Sequence, residues 1–141
     1  MQDRTSFCAE IPHRRHLRIL VVDDYPDSAT SMGMVLRLLG YVVEIVGDGP
    51  TALAAARRGA PDVVLLDIDL PTMSGHEVAH RLTADGGVRP FLIALTDYKM
   101  SAAKRQDEDS GIDLYLPKPV NLDLLQSMLE GRKRVLNLAD G

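Results

Sequence analysis

The 141-residue sequence has no Trp, two Phe, four Tyr and a single Cys. A core so poor in aromatics must be aliphatic, assembled from Val, Leu, Ile, Ala and Met. One thiol, Cys8, excludes a disulfide framework and fits a reducing compartment. No apolar run approaches the roughly 18 residues of a membrane-spanning helix, and Arg and His interrupt the stretch where a signal peptide would be apolar. A basic surplus is also missing: 16 Lys and Arg stand against 20 Asp and Glu, a formal charge of −4. Phosphate backbones call for a basic field, so no direct nucleic-acid contact is expected. The short basic spots at His13-Arg14-Arg15-His16 and Arg132-Lys133-Arg134 read as solvated flanks. The chain is expected to be cytoplasmic, with no membrane insertion.

What is present is a regular alternation. Leu17–Val22, Val42–Val46, Val63–Leu66, Phe91–Leu95 and Leu114–Leu116 are short apolar runs, several of them continuous, as in strands covered on both faces. Between them lie helical patterns. Pro26 suits a first turn, with Ala29, Met32, Leu36 and Leu39 on one face before Gly40. A second helix is predicted from about Asp48 to Arg58, stopped by Gly59. Ser74 and Glu77 have capping-box spacing and open a third, with Val78 and Leu82 inward. A fourth, near 101–110, is weakly apolar. The last begins at an Asn121 N-cap, with Val120 and Leu125 spaced as a hydrophobic staple and Leu122, Leu125 and Leu129 facing the core. Five strands alternating with five helices predict an α/β fold, a doubly wound parallel sheet with helices on both faces. The expected limits are a flexible leader over 1–16, one domain over 17–134 and a tail over 135–141.

In open α/β sheets ligands bind beyond the carboxyl ends of the strands. The residues there are Asp23 and Asp24 after the first run, Asp67 after the third, Thr96 and Asp97 after the fourth, and Lys118-Pro119 after the fifth. Gly47-Asp48, after the second, looks like turn and helix cap only. Taken singly, each carboxylate is an ordinary cap or turn residue. Converging at one sheet edge, three of them would repel one another unless a hard divalent cation lay between. Mg2+ prefers such oxygen donors. Lys118 and the Thr96 hydroxyl would then complete a site for a phosphoryl group.

LRILVVDDYPD, PDVVLLDIDLPTMSGHEVAHRL, FLIALTDY and GIDLYLPKPV resemble successive segments of the receiver domains of two-component response regulators, from about Leu17 to Leu129. The resemblance implies the flavodoxin-like strand order 2-1-3-4-5, with Asp67 as phosphoacceptor. It implies Mg2+ (with Mn2+ as a substitute) held by Asp23, Asp24, Asp67 and the backbone carbonyl of Asp69. Lys118 would pair with a phosphoryl oxygen, and the Lys118–Pro119 peptide would be cis. Thr96 and Tyr115 would form a switch pair. The implied function is a phosphorylation-dependent signalling switch in a phosphorelay, charged by a histidine kinase or histidine phosphotransfer protein. It would act in trans on a protein effector through the fourth helix, fifth strand and last helix, a surface also suited to a dimer. Its only catalysis would be its own phosphorylation and dephosphorylation. The segments around ALTDY and GIDLYLPKPV are similar to receivers of hybrid histidine kinases.

Two other readings use the same residues. The run ending in Asp67-Ile68-Asp69 resembles the DxD strand of haloacid-dehalogenase-type Mg2+-dependent phosphohydrolases, in which Asp69 would be an acid/base. Those enzymes carry the nucleophile on the first strand, and here the acidic pair comes first. A phosphorylation-independent interaction module is the other, and its support is Asp97, where receivers usually have Ala or Gly. With Tyr98, Asp69 could tune the lifetime of a phosphoaspartate. We expect the Asp97 carboxylate to slow phosphorylation, so Asp97→Gly should label severalfold faster with acetyl phosphate; an unchanged rate removes that role.

Overall fold

The structure, a computed structural model, describes residues 15–68, 70, 73–84, 89–96 and 111–138. In chain order the elements are β1 (Arg18–Val22), α1 (Pro26–Leu38), β2 (Val42–Val46), α2 (Gly49–Gly59), β3 (Val63–Asp67), α3 (Gly75–Ala84), β4 (Phe91–Thr96), β5 (Leu114–Pro117) and α4 (Leu122–Val135). The helix expected near 101–110 lies outside the described residues, so the last helix is α4 here. All strand pairings are parallel, in the order β2-β1-β3-β4-β5. The expected doubly wound fold is the one observed.

The aliphatic runs fill the middle of the sheet. Val63, Val64, Leu65 and Leu66 of β3 are wholly buried, as a strand covered on both faces requires. One face packs Ile19, Val21, Leu65 and Ile93 under Leu36 of α1 and Leu125 and Leu129 of α4. The other packs Leu20, Val22, Leu66 and Leu92 under Ala52 and Leu53 of α2 and Val78 and Ala79 of α3.

Helix starts follow their sequence signals. Asp48 accepts the Thr51 N–H at 2.8 Å, Ser74 Oγ accepts the Glu77 N–H at 3.1 Å, and Asn121 accepts the Leu124 N–H at 3.1 Å. The Asp48 cap bonds hold its carboxyl below the usual range. Val120 is half-buried against the cluster that contains Leu125, as a staple should be.

Three expectations, for Gly59, Leu122 and Lys133, need correction. Gly59 is the last residue of α2 rather than its stop, and Ala60 takes the left-handed conformation at φ 45°. Leu122 does not face the core: it is 42 % exposed, because the first turn of α4 overhangs the sheet's carboxyl edge. Arg15, assigned to the leader, forks onto the Asp62 carboxylate at 2.6 and 2.8 Å; residues 1–14 lie outside the described residues. At the other end Val135 is still helical, Asn137 adopts φ 56°, and the Leu138 N–H donates to the Lys133 carbonyl at 3.0 Å. This is a Schellman turn, and it packs Leu136 and Leu138 against the core. Lys133, read as a solvated flank, is buried, its ammonium 2.8 Å from Glu130.

Leu129→Ala should therefore lower stability by about 2–5 kcal/mol, as in other buried Leu truncations. Leu122→Ala should change it by about 0.5 kcal/mol, the surface norm. Denaturant midpoints at constant slope measure both, and equal losses would place Leu122 back in the core.

Candidate functional site

The strand order turns the chain outward from β1 to β2 on one side and from β3 to β5 on the other. The carboxyl ends of β1 and β3 flank that reversal, the place where this topology leaves a crevice. Val22 pairs with Leu66, so Asp23 comes level with Asp67. Asp67 is the last residue of β3 and 4 % exposed; Asp23 is half-buried and Asp24 exposed. One carboxylate oxygen from each of the three lies within 4.8 Å of the others.

Local backbone bonds hold these positions. The Asp23 N–H donates to the Val46 carbonyl at 3.0 Å, and Asp23 Oδ1 accepts the Tyr25 N–H at 3.0 Å ahead of Pro26. The plain reading of Asp23 as a turn residue is thus half right: one oxygen shapes the loop and the carboxylate still faces the cluster. Beyond Asp67, the Ile68 N–H donates to Leu95 O at 3.1 Å and the Gly75 N–H to Ile68 O at 3.0 Å. α3 closes so tightly here that a Cβ on Gly75 would sit 2.7 Å from Ile68 Cα and 2.9 Å from the Asp67 carbonyl oxygen. Gly at this position is a packing requirement.

The cation comes from β5. Lys118 Nζ lies 3.1 Å from Asp67 Oδ2. The Lys118 N–H donates to Thr96 O at 2.9 Å, and the Lys118–Pro119 peptide is cis, as expected. Thr96 ends β4 fully buried, and Tyr115 on β5 is half-buried. Asp23, Asp24, Asp67, Thr96 and Lys118 therefore stand at one sheet edge, with Tyr115 two residues back from it. Asp69, Asp97 and Tyr98 lie outside the described residues.

The three carboxylates fit a divalent cation. Hard oxygen donors of this kind are what Mg2+ prefers, and Asp23, Asp24 and Asp67 would be the residues to hold it. The Asp23 carboxyl is held above its usual range. Burial pushes its carboxyl up, the Tyr25 N–H pulls it down, and Asp67 adds further upward pressure, opposed by Lys118.

One neighbour of the site was not singled out from sequence. His76, in the first turn of α3, lies with its ring centroid 6.3 Å from that of Tyr115, tilted by 43°. Its position just after the capping Ser74 was the available signal. Beside Asp23 and Lys118 a cavity of about 330 Å3 runs between α1 and the start of α4, with Met32, Val35, Val120 and Leu122 in its wall.

Comparison with known proteins gives a consistent result. The response regulator receiver domain family matches residues 19–130. The DNA-binding response regulator MtrA of Mycolicibacterium smegmatis is 40% identical over 117 residues, 83% of this chain and 50% of that protein. The chain thus spans about half the length of MtrA and similar curated relatives. The chemotaxis response regulator CheY4 of Vibrio cholerae superposes with a TM-score of 0.75 at 27% identity, covering 83% of this chain and 98% of that one. The receiver domain of sensor histidine kinase PA1611 from Pseudomonas aeruginosa, solved with a magnesium ion in its active-site cleft, gives 0.73 at 33% identity over 82% and 96%.

Asp23→Asn removes one of three crowded charges. A carboxyl raised in the folded state adds an unfavourable contribution that is absent below the unfolded value and complete above the folded one. In metal-free buffer the wild type should lose that increment as pH rises through the ordinary carboxylate range and just above it. The variant should lack it and be more stable at neutral pH by no more than about 1 kcal/mol, since the group is only half-buried and solvent screens its charge. Mg2+ affinity should fall in the variant, and in the wild type on acidification through the same window. Thermal melts against pH and titration calorimetry measure these. A variant that binds Mg2+ as well as the wild type removes Asp23 from the ligand set.

Proposed function

The chain belongs to the response regulator receiver domain family, and from that premise we propose that Asp67 accepts a phosphoryl group and that the domain signals through the change. The observation that carries this is the Asp67 carboxylate itself, buried at the end of β3 with Lys118 Nζ at 3.1 Å and two further carboxylates beside it. A solvated turn residue has no need of such surroundings.

The chemistry is an in-line displacement. A carboxylate oxygen of Asp67 attacks phosphorus, the bond from phosphorus to the donor's imidazole nitrogen breaks, and that nitrogen keeps the electron pair. Positioning and charge neutralisation do most of the work in such transfers. Lys118 moves from the carboxylate to a phosphoryl oxygen, and the Thr96 hydroxyl donates to another. Mg2+, held by Asp23, Asp24, Asp67 and the carbonyl of Asp69, would supply charge neutralisation across the phosphoryl oxygens; Mn2+ offers the same donor preference.

The donor is a histidine kinase or a histidine phosphotransfer protein. It must bring a phosphohistidine over the carboxylates, and exposed Tyr25, Leu122 and Leu124 border the approach on the α1 and α4 side, beside the apolar cavity. Output runs to a protein effector through β5, α4 and the segment between β4 and β5. DNA binding is named for MtrA, a protein of which this chain covers half; for this domain, contact with protein is the reading that its acidic charge supports. No described helix is long and apolar enough to cross a membrane. The dehalogenase-type reading requires the nucleophile on the first strand, whereas Asp67 ends β3 and the acidic pair follows β1.

Incubation with acetyl phosphate and Mg2+ should add one acid-stable, hydroxylamine-labile phosphoryl group by mass. Asp67→Asn and chelation should abolish it, and Lys118→Ala should slow it by about a hundredfold, the usual effect of losing one charge-stabilising donor. Labelling of Asp67→Asn, or none in the wild type, would sink the proposal, the second result favouring a phosphorylation-independent module.

A further inference from the structure

Strand alternation divides β5 between the two faces of the sheet. Leu114 and Leu116 pack with the α1 and α4 cluster, so Tyr115 points to the other face, the side of α3. Tyr115 pairs in register with Ala94, and Thr96 lies two residues along β4 on that same face. His76 meets Tyr115 there from α3, at 6.3 Å between ring centroids. Both imidazole nitrogens are closed off from solvent, so the ring is packed into the protein rather than lying on its surface.

We infer that His76 is a positioning residue for Tyr115: its ring props the tyrosine in the arrangement of the unphosphorylated domain, so that α3 sets how easily the switch pair moves. This rests on the reading of Asp67 as phosphoacceptor. The contact is present with Asp67 unmodified, and an interaction made in the resting state alone opposes the phosphorylated one by linkage. An aromatic pair of this kind is worth about a two- to tenfold shift in such an equilibrium. The residue type at position 76 thus tunes the response without touching the phosphoryl group.

The test is a double-mutant cycle read by titration calorimetry with beryllofluoride, a phosphoryl mimic, in the presence of Mg2+. His76→Ala should tighten beryllofluoride binding by about two- to tenfold, and His76→Phe, which restores a ring, should return it to the wild-type value. In a Tyr115→Ala background, His76→Ala should have no further effect. His76→Leu keeps the packing volume and should behave as His76→Ala does, which separates loss of the ring from damage to the fold. Unchanged binding in His76→Leu, or an effect of the same size with Tyr115 already removed, overturns the inference alone. A wild type that fails to bind beryllofluoride with Mg2+ overturns the phosphoacceptor reading, and this one with it.

Discussion

Three carboxylates and one ammonium are held together where β1 and β3 end, and the remainder of the domain can be understood as what keeps them there. Two like charges 4.8 Å apart repel by about 3 kcal/mol at an effective dielectric near 20. Left to themselves these side chains would separate. Their backbones cannot, because the register of β1 on β3 sets Asp23 level with Asp67 and the aliphatic layers on both faces leave the strands no freedom to slide. Lys118 answers part of the repulsion, and what it leaves is a standing demand for positive charge. That demand is one that a hard divalent cation would meet.

Most of this was legible along the chain because the signals are local. Apolar runs of three to six residues, Asp48 and Asn121 as caps, and Ser74 ahead of α3 each act within one turn of themselves. The site was legible for a different reason. Once the runs are strands of a parallel sheet, every residue just past a run falls at the same edge, and no distance needs to be known.

The misreadings share a cause in partners remote in sequence or in sheet geometry. Lys133 looks like one of three solvated cations, yet its ammonium is buried against Glu130, whose other oxygen accepts the Tyr41 hydroxyl from 89 residues away. Those bonds lower the Glu130 carboxyl, while burial first, and the carboxylate second, raise the Tyr41 phenol. Leu122 has the helical spacing of a core residue, but periodicity says nothing of where the sheet stops beneath it. His76 carried no signal of its own beyond its place in a capping motif; the ring it meets is on a strand the pattern could only count.

The same geometry ties the charge at the edge to movement behind it. Lys118 reaches Asp67 with its side chain and the Thr96 carbonyl with its backbone N–H, so the cation beside Asp67 is fastened to β4, the strand that carries Thr96. Thr96 and Tyr115 share one face of the sheet, and His76 meets Tyr115 there from α3. At the opposite edge Arg132 lies 5.2 Å over the ring of Phe91, and the Tyr41–Glu130–Lys133 group grips the final turns of α4.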